Sequence, residues 1–164
     1  MVARGGLRSL TYRAVAAEAG VAHSLVSHYF GSRDALIADA LTYAVRVSAG
    51  FYDGITEGDS VDTFLALLPD LVSRNPDLQA FQYELLLESR RTGELAEQAQ
   101  LLYDTYTGAT RDALAKVGVT ADDALTLLVF AALDGLVLHQ LVVGKPAETE
   151  KSLARLRQLL SRER

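Results

Sequence analysis

The sequence of 164 residues predicts an all-α fold, with a small helical head at the N-terminus and a larger helical body after it. Three observations support this prediction. Apolar residues recur at helical spacing along most of the chain, and no segment alternates as a strand would. Glycine and proline divide the chain into segments of helical length. Residues 11–30 contain two short helical segments on either side of a glycine, which is the order of a helix-turn-helix.

The first helix of this motif should begin after Thr11, whose hydroxyl can accept a bond from a free backbone N–H one turn later. Val15, Ala16 and Ala19 share one face, and their small side chains would let a second helix cross closely. Gly20 follows at the point where the chain must turn sharply. Glycine takes the left-handed conformation there without steric cost.

The second helix of the motif should extend over about residues 22–29. Val21 is expected beneath the turn, Leu25 and Val26 are expected in the core, and Phe30 should close that core. The remaining side chains are polar and should face outward. They are His23, Ser24, Ser27 and His28.

Gly31 should end this helix, and Ser32 should cap the first helix of the body. The predicted body helices cover about residues 33–52, 61–74, 76–92, 94–117, 121–143 and 147–162. Pro69 should kink or split the second of them, because proline removes a donor and clashes with the preceding turn. Thr120 is expected to cap the fifth.

The helix predicted at residues 121–143 is long and apolar enough to suggest a membrane span. Asp134 at its centre argues against one, because an acidic side chain at mid-bilayer costs about 2.5–3.5 kcal/mol on insertion scales. His139 and Gln140 add to this objection. We therefore expect no membrane, and a helix buried between other helices.

Composition excludes several classes of site. The chain has no cysteine, so it forms no disulfide, thiolate nucleophile or zinc finger. Its three histidines are not spaced as a metal-binding pair, and no HExxH motif or phosphate-binding glycine loop is present. We expect no enzyme activity, no metal and no cofactor. The absence of cysteine and of a visible secretory signal suggests a cytoplasmic protein.

Charge is distributed unevenly along the chain. The net charge is −5, yet residues 1–33 hold four arginines against one glutamate, a net of +3, which leaves −8 on the rest. A basic head on an acidic body would attract phosphate to the head alone.

Residues 11–36 resemble the N-terminal domain of the tetracycline-repressor (TetR) family of transcriptional regulators. The similarity lies in Ala-Gly-Val-Ala at residues 19–22, His-Tyr-Phe at residues 28–30 and Gly-Ser-Arg-Asp-Ala-Leu at residues 31–36. The family has a complete helix before this motif, of which only the last turn is recognisable in residues 2–4. We therefore expect the first helix to be largely missing and the head to be truncated at its N-terminus.

The resemblance implies a helix-turn-helix DNA-binding domain at residues 1–36 and an effector-binding and dimerisation domain at residues 37–164. It implies a regulator, most commonly a repressor, that a small molecule releases from a palindromic operator in double-stranded DNA. The alternative is an all-helical protein-interaction module that does not bind DNA.

The resemblance places Thr11 and Arg33 on phosphates and the exposed side chains of the second helix on bases. The predicted DNA-binding set is Thr11, Arg13, Ala22, His23, Ser24, Ser27, His28, Tyr29 and Arg33. Three of these residues depart from the family pattern, and the departures concern the preferred DNA sequence. Ala22 replaces a Ser cap, Ser24 replaces a common Gly, and Ser27 replaces a common Tyr.

A ligand pocket is predicted in the body, because aromatic and polar side chains are mixed there as they are in many binding sites. The predicted lining is Phe64, Phe81, Tyr83, Glu84, Leu87, Tyr103, Tyr106, Thr110 and Phe130. For any single aromatic residue, an ordinary place in the core or at the surface is the alternative. Glu84 and Glu88 could form a carboxylate pair, or be solvated or paired with Arg91. The lining favours an apolar or aromatic effector.

The last two helices are expected to form a four-helix bundle with those of a second copy, as the resemblance implies. A two-fold operator also requires a two-fold protein. The predicted homodimer interface is Leu125, Leu128, Ala132, Leu136, His139, Val143, Leu153, Leu156 and Leu160. The alternative is that both helices cover the core of their own chain.

Overall fold

The computed structural model describes residues 2–91 and 93–163, and over these residues the chain is helical with no strand, as predicted. The α-helices are α1 (Val2–Gly5), α2 (Tyr12–Ala19), α3 (His23–Phe30), α4 (Arg33–Ala49), α5 (Val61–Leu65), α6 (Leu67–Arg74), α7 (Pro76–Ser89), α8 (Ala96–Lys116), α9 (Asp123–Val143) and α10 (Pro146–Leu160). Short 3₁₀ turns occur at Leu7–Ser9, Gly50–Gly54 and Gly93–Leu95.

The chain forms two compact units, each assembled from two stretches of sequence. They are Met1–Arg46 with Asp77–Leu102, and Val47–Pro76 with Tyr103–Arg164. Helices α4 and α8 each continue from one unit into the other. The units are defined by packing and interleave in the sequence, so the predicted functional division after residue 36 stays a prediction.

The helix-turn-helix is formed by α2 and α3, which contact each other in the first unit. The Ala14 N–H donates to Thr11 Oγ1 at 3.2 Å, which confirms Thr11 as the cap of α2. Gly20 has φ 67° and ψ 30°, and the next N–H, of Val21, donates to Ala16 O at 2.9 Å. The left-handed turn at Gly20 is therefore confirmed as well.

The core of this motif is smaller than predicted. Ala16 and Val26 are buried, whereas Ala19, Val21 and Leu25 are exposed. The expectation that these last three face inward was wrong, because the crossing of two such short helices covers only the side chains nearest the contact.

Two helix boundaries follow the proline rules. Helix α5 ends at Leu65 and α6 begins at Leu67, so Pro69 splits the predicted helix, since its ring would clash with the carbonyl four residues earlier. Pro76 begins α7, where a missing N–H costs nothing. The predicted end of that helix at Thr92 lies outside the described residues.

The cap of α9 differs from the prediction. The Leu125 N–H donates to the Asp122 carboxylate at 2.7 Å, so Asp122 is the cap and the helix begins at Asp123. The backbone N–H of Thr120 instead donates to Glu163 O at 3.1 Å. Asp122 occupies the position from which an acceptor reaches the free N–H groups of the first turn.

Helix α9 is long and apolar enough to cross a membrane by length and composition, which is weak evidence because core helices pass the same test. One face is buried in the second unit, where α9 contacts α6 and α10. Its buried residues are Thr126, Val129, Phe130, Leu133 and Val137. The opposite face stays exposed in the single chain, so within this chain the expected burial between other helices holds for one side of α9.

Candidate functional site

The predicted DNA-binding residues lie on α2, α3 and the start of α4, at the surface of the first unit. The exposed members are Thr11, Arg13, Ala22, His23, Ser24, His28, Tyr29 and Arg33. Ser27 is half-buried, and its hydroxyl donates to Ser24 O at 3.1 Å, within its own helix. Ser27 is thus the least available of the set for contact with another molecule.

Helix α3 begins without a side-chain cap, as expected from Ala22. The ring of Tyr12 on α2 contacts the ring of His23 edge to face, with the centroids 6.1 Å apart. A second edge-to-face pair joins Tyr29 and Phe30 at 4.8 Å. The Tyr12–His23 contact joins the uncapped start of α3 to α2, whereas the Tyr29–Phe30 contact lies within α3.

Leu25 is a surface residue that the sequence prediction placed in the core. Its side chain is 56% exposed, and Tyr29, one turn later, is 75% exposed. The sequence did contain a sign that Leu25 is exposed. Val26 and Phe30 are apolar residues at spacing four, so they define one face of the helix, and Leu25 lies about 100° away from Val26.

Arg33 ties the start of α4 to the segment before α2. Its Nε donates to Leu10 O at 3.2 Å and its Nη2 donates to Leu7 O at 2.9 Å. Leu7 and Leu10 are themselves buried. The resemblance implied a phosphate contact for Arg33, but two of its donors bond to the backbone. Arg33 is nevertheless exposed, so a phosphate contact through the rest of its guanidinium group stays a prediction.

The second unit contains a cluster of aromatic rings between α8 and α9. The ring of Phe130 lies 5.5 Å from that of Tyr103, edge to face, and 6.3 Å from that of Tyr106, nearly parallel to it. A further pair, Tyr52 and Phe64, has centroids 5.8 Å apart. Five predicted ligand residues belong to this unit, namely Phe64, Tyr103, Tyr106, Thr110 and Phe130.

Asp134 follows Phe130 by one turn of α9 and was missed in the predicted ligand set. Burial raises the pKa of the Tyr52 hydroxyl to about 12; the Thr110 hydroxyl opposes that rise and the charge of Asp134 adds to it. The pKa of Tyr103 is raised by desolvation and then by Asp134.

The sequence signal that could have added Asp134 to the ligand set was an acidic residue at the centre of an apolar helix. We call Tyr103, Tyr106, Phe130 and Asp134 the aromatic–acid cluster.

The other four predicted ligand residues belong to the first unit, namely Phe81, Tyr83, Glu84 and Leu87. Leu87 is exposed and lines a surface cleft with Arg90 and Arg91. Glu84 is exposed and lies beside Gly6, since a Cβ there would be 3.6 Å from its Oε2. Both side chains are exposed, and their place in a ligand site stays a prediction.

Of the alternatives predicted for Glu88, the pairing with Arg91 is confirmed. Its Oε2 accepts from Arg91 Nη1 at 3.0 Å.

Part of the predicted dimer interface faces its own chain. Leu153 and Leu160 are buried, and an ion pair between Arg157 and Asp62 joins α10 to α5. His139 Nε2 lies 3.6 Å from the carboxylate of Glu148 on α10. We therefore remove Leu153 and Leu160 from the candidate interface, because packing within the chain already buries them. His139 is half-buried and stays a predicted interface residue.

The six other predicted interface residues are less buried; five lie on α9 and Leu156 lies on α10. Leu125, Ala132, Leu136 and Leu156 are half-buried, whereas Leu128 and Val143 are exposed. We define the exposed α9 stripe as residues of that helix spaced by three and four. It consists of Ala124, Leu128, Ala131, Gly135, Leu138 and Val142.

Family models match both ends of the chain. The model of the C-terminal domain of tetracyclin-repressor-like proteins matches residues 59–162, which is more than half of the sequence. The model of bacterial regulatory proteins of the tetR family matches residues 1–40.

This chain belongs to the TetR family. It is a DNA-binding transcriptional regulator, as the resemblance of residues 11–36 implied. A comparison with curated proteins gave no match.

Several solved structures share the fold. A transcriptional regulator from Rhodococcus sp. Rha1 is 22% identical with a TM-score of 0.78, over 97% of this chain and 89% of its own. The multidrug binding protein EbrR, complexed with proflavin, is 24% identical with a TM-score of 0.69, over 99% and 92%. A Saccharomonospora viridis protein in complex with choline is 20% identical with a TM-score of 0.67, over 98% and 89%. At these identities the likeness concerns the fold alone.

The role of Arg33 in this TetR-family head can be tested without DNA. We expect Arg33→Ala to lower the free energy of unfolding by about 1–2 kcal/mol, because two charge-assisted hydrogen bonds to backbone carbonyls are lost. Arg33→Lys should recover little of this, since an ammonium lacks the fork that reaches both carbonyls. Urea unfolding followed by circular dichroism measures the change.

Arg13→Ala is the matched control, because it removes the same charge from an exposed position on α2. It should leave the unfolding free energy within about 0.5 kcal/mol of the wild type. Equal stability of Arg33→Ala and the wild type would refute the bracing role and leave phosphate contact as the function of this residue.

Proposed function

We propose that this TetR-family regulator is a cytoplasmic, homodimeric repressor without catalytic activity. In this proposal two copies bind a palindromic operator through α2 and α3, and a small molecule bound in the second unit releases them. The observation that carries the proposal is the exposed polar face of α3 on a net-basic head. A helix of this length fits the major groove, where its outward side chains meet base edges.

Two heads are needed because one head carries little positive charge. Four arginines in residues 1–33 provide few phosphate contacts, and each contact contributes to affinity through release of counterions. Two linked heads bind far more tightly than one, since the second contact is intramolecular. The uneven charge also explains how an acidic chain binds DNA, because the basic head contacts the phosphates and the acidic body does not have to.

The exposed α9 stripe supports dimerisation. Leu128, Leu138 and Val142 are 64%, 41% and 73% exposed in the single chain. Between them lie Ala131 and Gly135, whose small size permits close approach of a second helix. Burying each leucine against a partner would contribute about 1.5–3 kcal/mol.

We expect Leu128→Glu to convert the dimer to a monomer and to weaken operator binding at least about tenfold. The charge would have to be buried in an apolar contact, which opposes association. Analytical ultracentrifugation gives the oligomeric state, and fluorescence anisotropy with an operator selected from random duplexes gives the affinity.

Leu87→Glu is the matched control, because Leu87 is 58% exposed and lies on α7. This variant should stay dimeric and bind normally. A dimeric Leu128→Glu variant with full affinity would move the interface away from the exposed α9 stripe.

The wild-type protein also tests the DNA-binding role against the protein-interaction alternative. The operator affinity should fall steeply as salt rises, with a slope set by the number of phosphate contacts. If no duplex is retained in the selection, or if affinity is independent of salt, the interaction module becomes the better description.

The aromatic–acid cluster supports an effector site. Aromatic faces attract organic cations, and a carboxylate beside them adds charge complementarity. EbrR binds proflavin and the Saccharomonospora viridis protein binds choline, and we extend a preference for such molecules to this chain. An aromatic cation is therefore the effector class that we propose.

Helices α4 and α8 offer a route from this site to the head. Tyr103 and Tyr106 lie on α8, which continues from the second unit into the first, as α4 does. Release requires that the effector bind the released form more tightly than the DNA-bound form. A shift from 1:99 to 99:1 takes about 5.5 kcal/mol of differential affinity.

We expect Asp134→Asn to weaken proflavin binding by about tenfold, equivalent to about 1.4 kcal/mol, because it removes the counter-charge and keeps the shape. Proflavin fluorescence in the absence of DNA measures the affinity. Asp112→Asn, which removes an exposed acid from α8, should bind proflavin as the wild type does. Equal affinities of all three proteins would exclude the aromatic–acid cluster as the site.

A further inference from the structure

Leu25 is an apolar side chain on the outward face of the helix that enters the major groove. It is 56% exposed, and Ser24 and His28 flank it on the same face. A single exposed leucine is ordinary at a protein surface. On a helix whose outward face meets base edges, however, a leucine has to meet a group with which it can make a favourable contact.

The geometry of α3 determines what Leu25 faces. Val26 is buried and Phe30 is half-buried, so they mark the inward side. Leu25 and His28, at spacing three, are exposed, and Leu25 lies about 100° around the helix from Val26. Leu25 is the third residue of α3, in the N-terminal half that reaches deepest in helix-turn-helix complexes. Tyr29 lies one turn, about 6 Å, further along the helix.

A leucine has no donor or acceptor, so it reads bases only by apolar contact. In the major groove the apolar group on a base edge is the C5-methyl group of thymine. We propose that Leu25 is a specificity-determining residue that packs against a thymine methyl group in each operator half-site. The proposal rests on the operator binding proposed above and names one base that α3 selects.

The surroundings of Leu25 favour DNA over a protein partner as the molecule that covers it. Arg13 is exposed on the neighbouring helix, and His23 and His28 lie on the same helix. The acidic residue of α2 and α3 is Glu18, and Asp34 follows in the first turn of α4. A surface with this charge attracts a polyanion, and a leucine within it contributes discrimination between bases rather than the bulk of the affinity.

The test replaces thymine by uracil, which removes the methyl group and keeps the base pair. Each thymine of the selected operator is replaced in turn, at symmetric positions of both half-sites, and affinities are measured by fluorescence anisotropy. For the wild type we expect one symmetric position at which uracil weakens binding about fourfold per half-site. Leu25→Ala should bind the thymine and uracil operators equally at that position.

Leu87→Ala is the matched control, since it truncates an equally exposed leucine on α7 and should keep the full sensitivity to uracil. Because Leu25 is exposed, its variant should keep the wild-type circular dichroism and unfolding midpoint. A Leu25→Ala variant that stays as sensitive to uracil as the wild type at every position would overturn the proposal. A wild-type protein that selects no duplex would overturn operator binding and this inference together.

Discussion

The left-handed turn at Gly20 determines which side of α3 faces solvent. Gly20 has φ 67°, and after this turn α3 packs against α2, with Ala16 and Val26 buried. Every side chain that could reach a base is outward because of that packing. A residue with a Cβ is strained in this conformation, so the turn favours glycine at this position.

Local chemistry made much of the fold predictable. Caps, turns and breaks depend on neighbours within four residues, so Thr11, Gly20 and Pro69 acted as the sequence indicated. The direction of a side chain depends on the angle at which helices cross, which no local pattern contains. Leu25 was therefore misplaced, and the two carbonyl bonds of Arg33, 23 and 26 residues away in sequence, were not foreseen.

The body illustrates the same limit. Helical spacing predicted α9 and α10 well, but an apolar stripe does not say whether its own chain or a partner covers it. The structure assigns Leu153 and Leu160 to the chain's own core and leaves the exposed α9 stripe uncovered. Asp134, noticed in the sequence as an argument against a membrane, carries a charge that adds to the rise in the pKa of Tyr52 and of Tyr103.

The central claim is that the outward face of α3 meets base edges while a second copy repeats the contact. A crystal structure of the protein on its selected operator tests this most directly. The account predicts α3 of both copies in major grooves one helical turn apart, with residues 23–29 against base edges. A complex in which α3 points away from the bases, or in which one copy alone contacts the duplex, would contradict it.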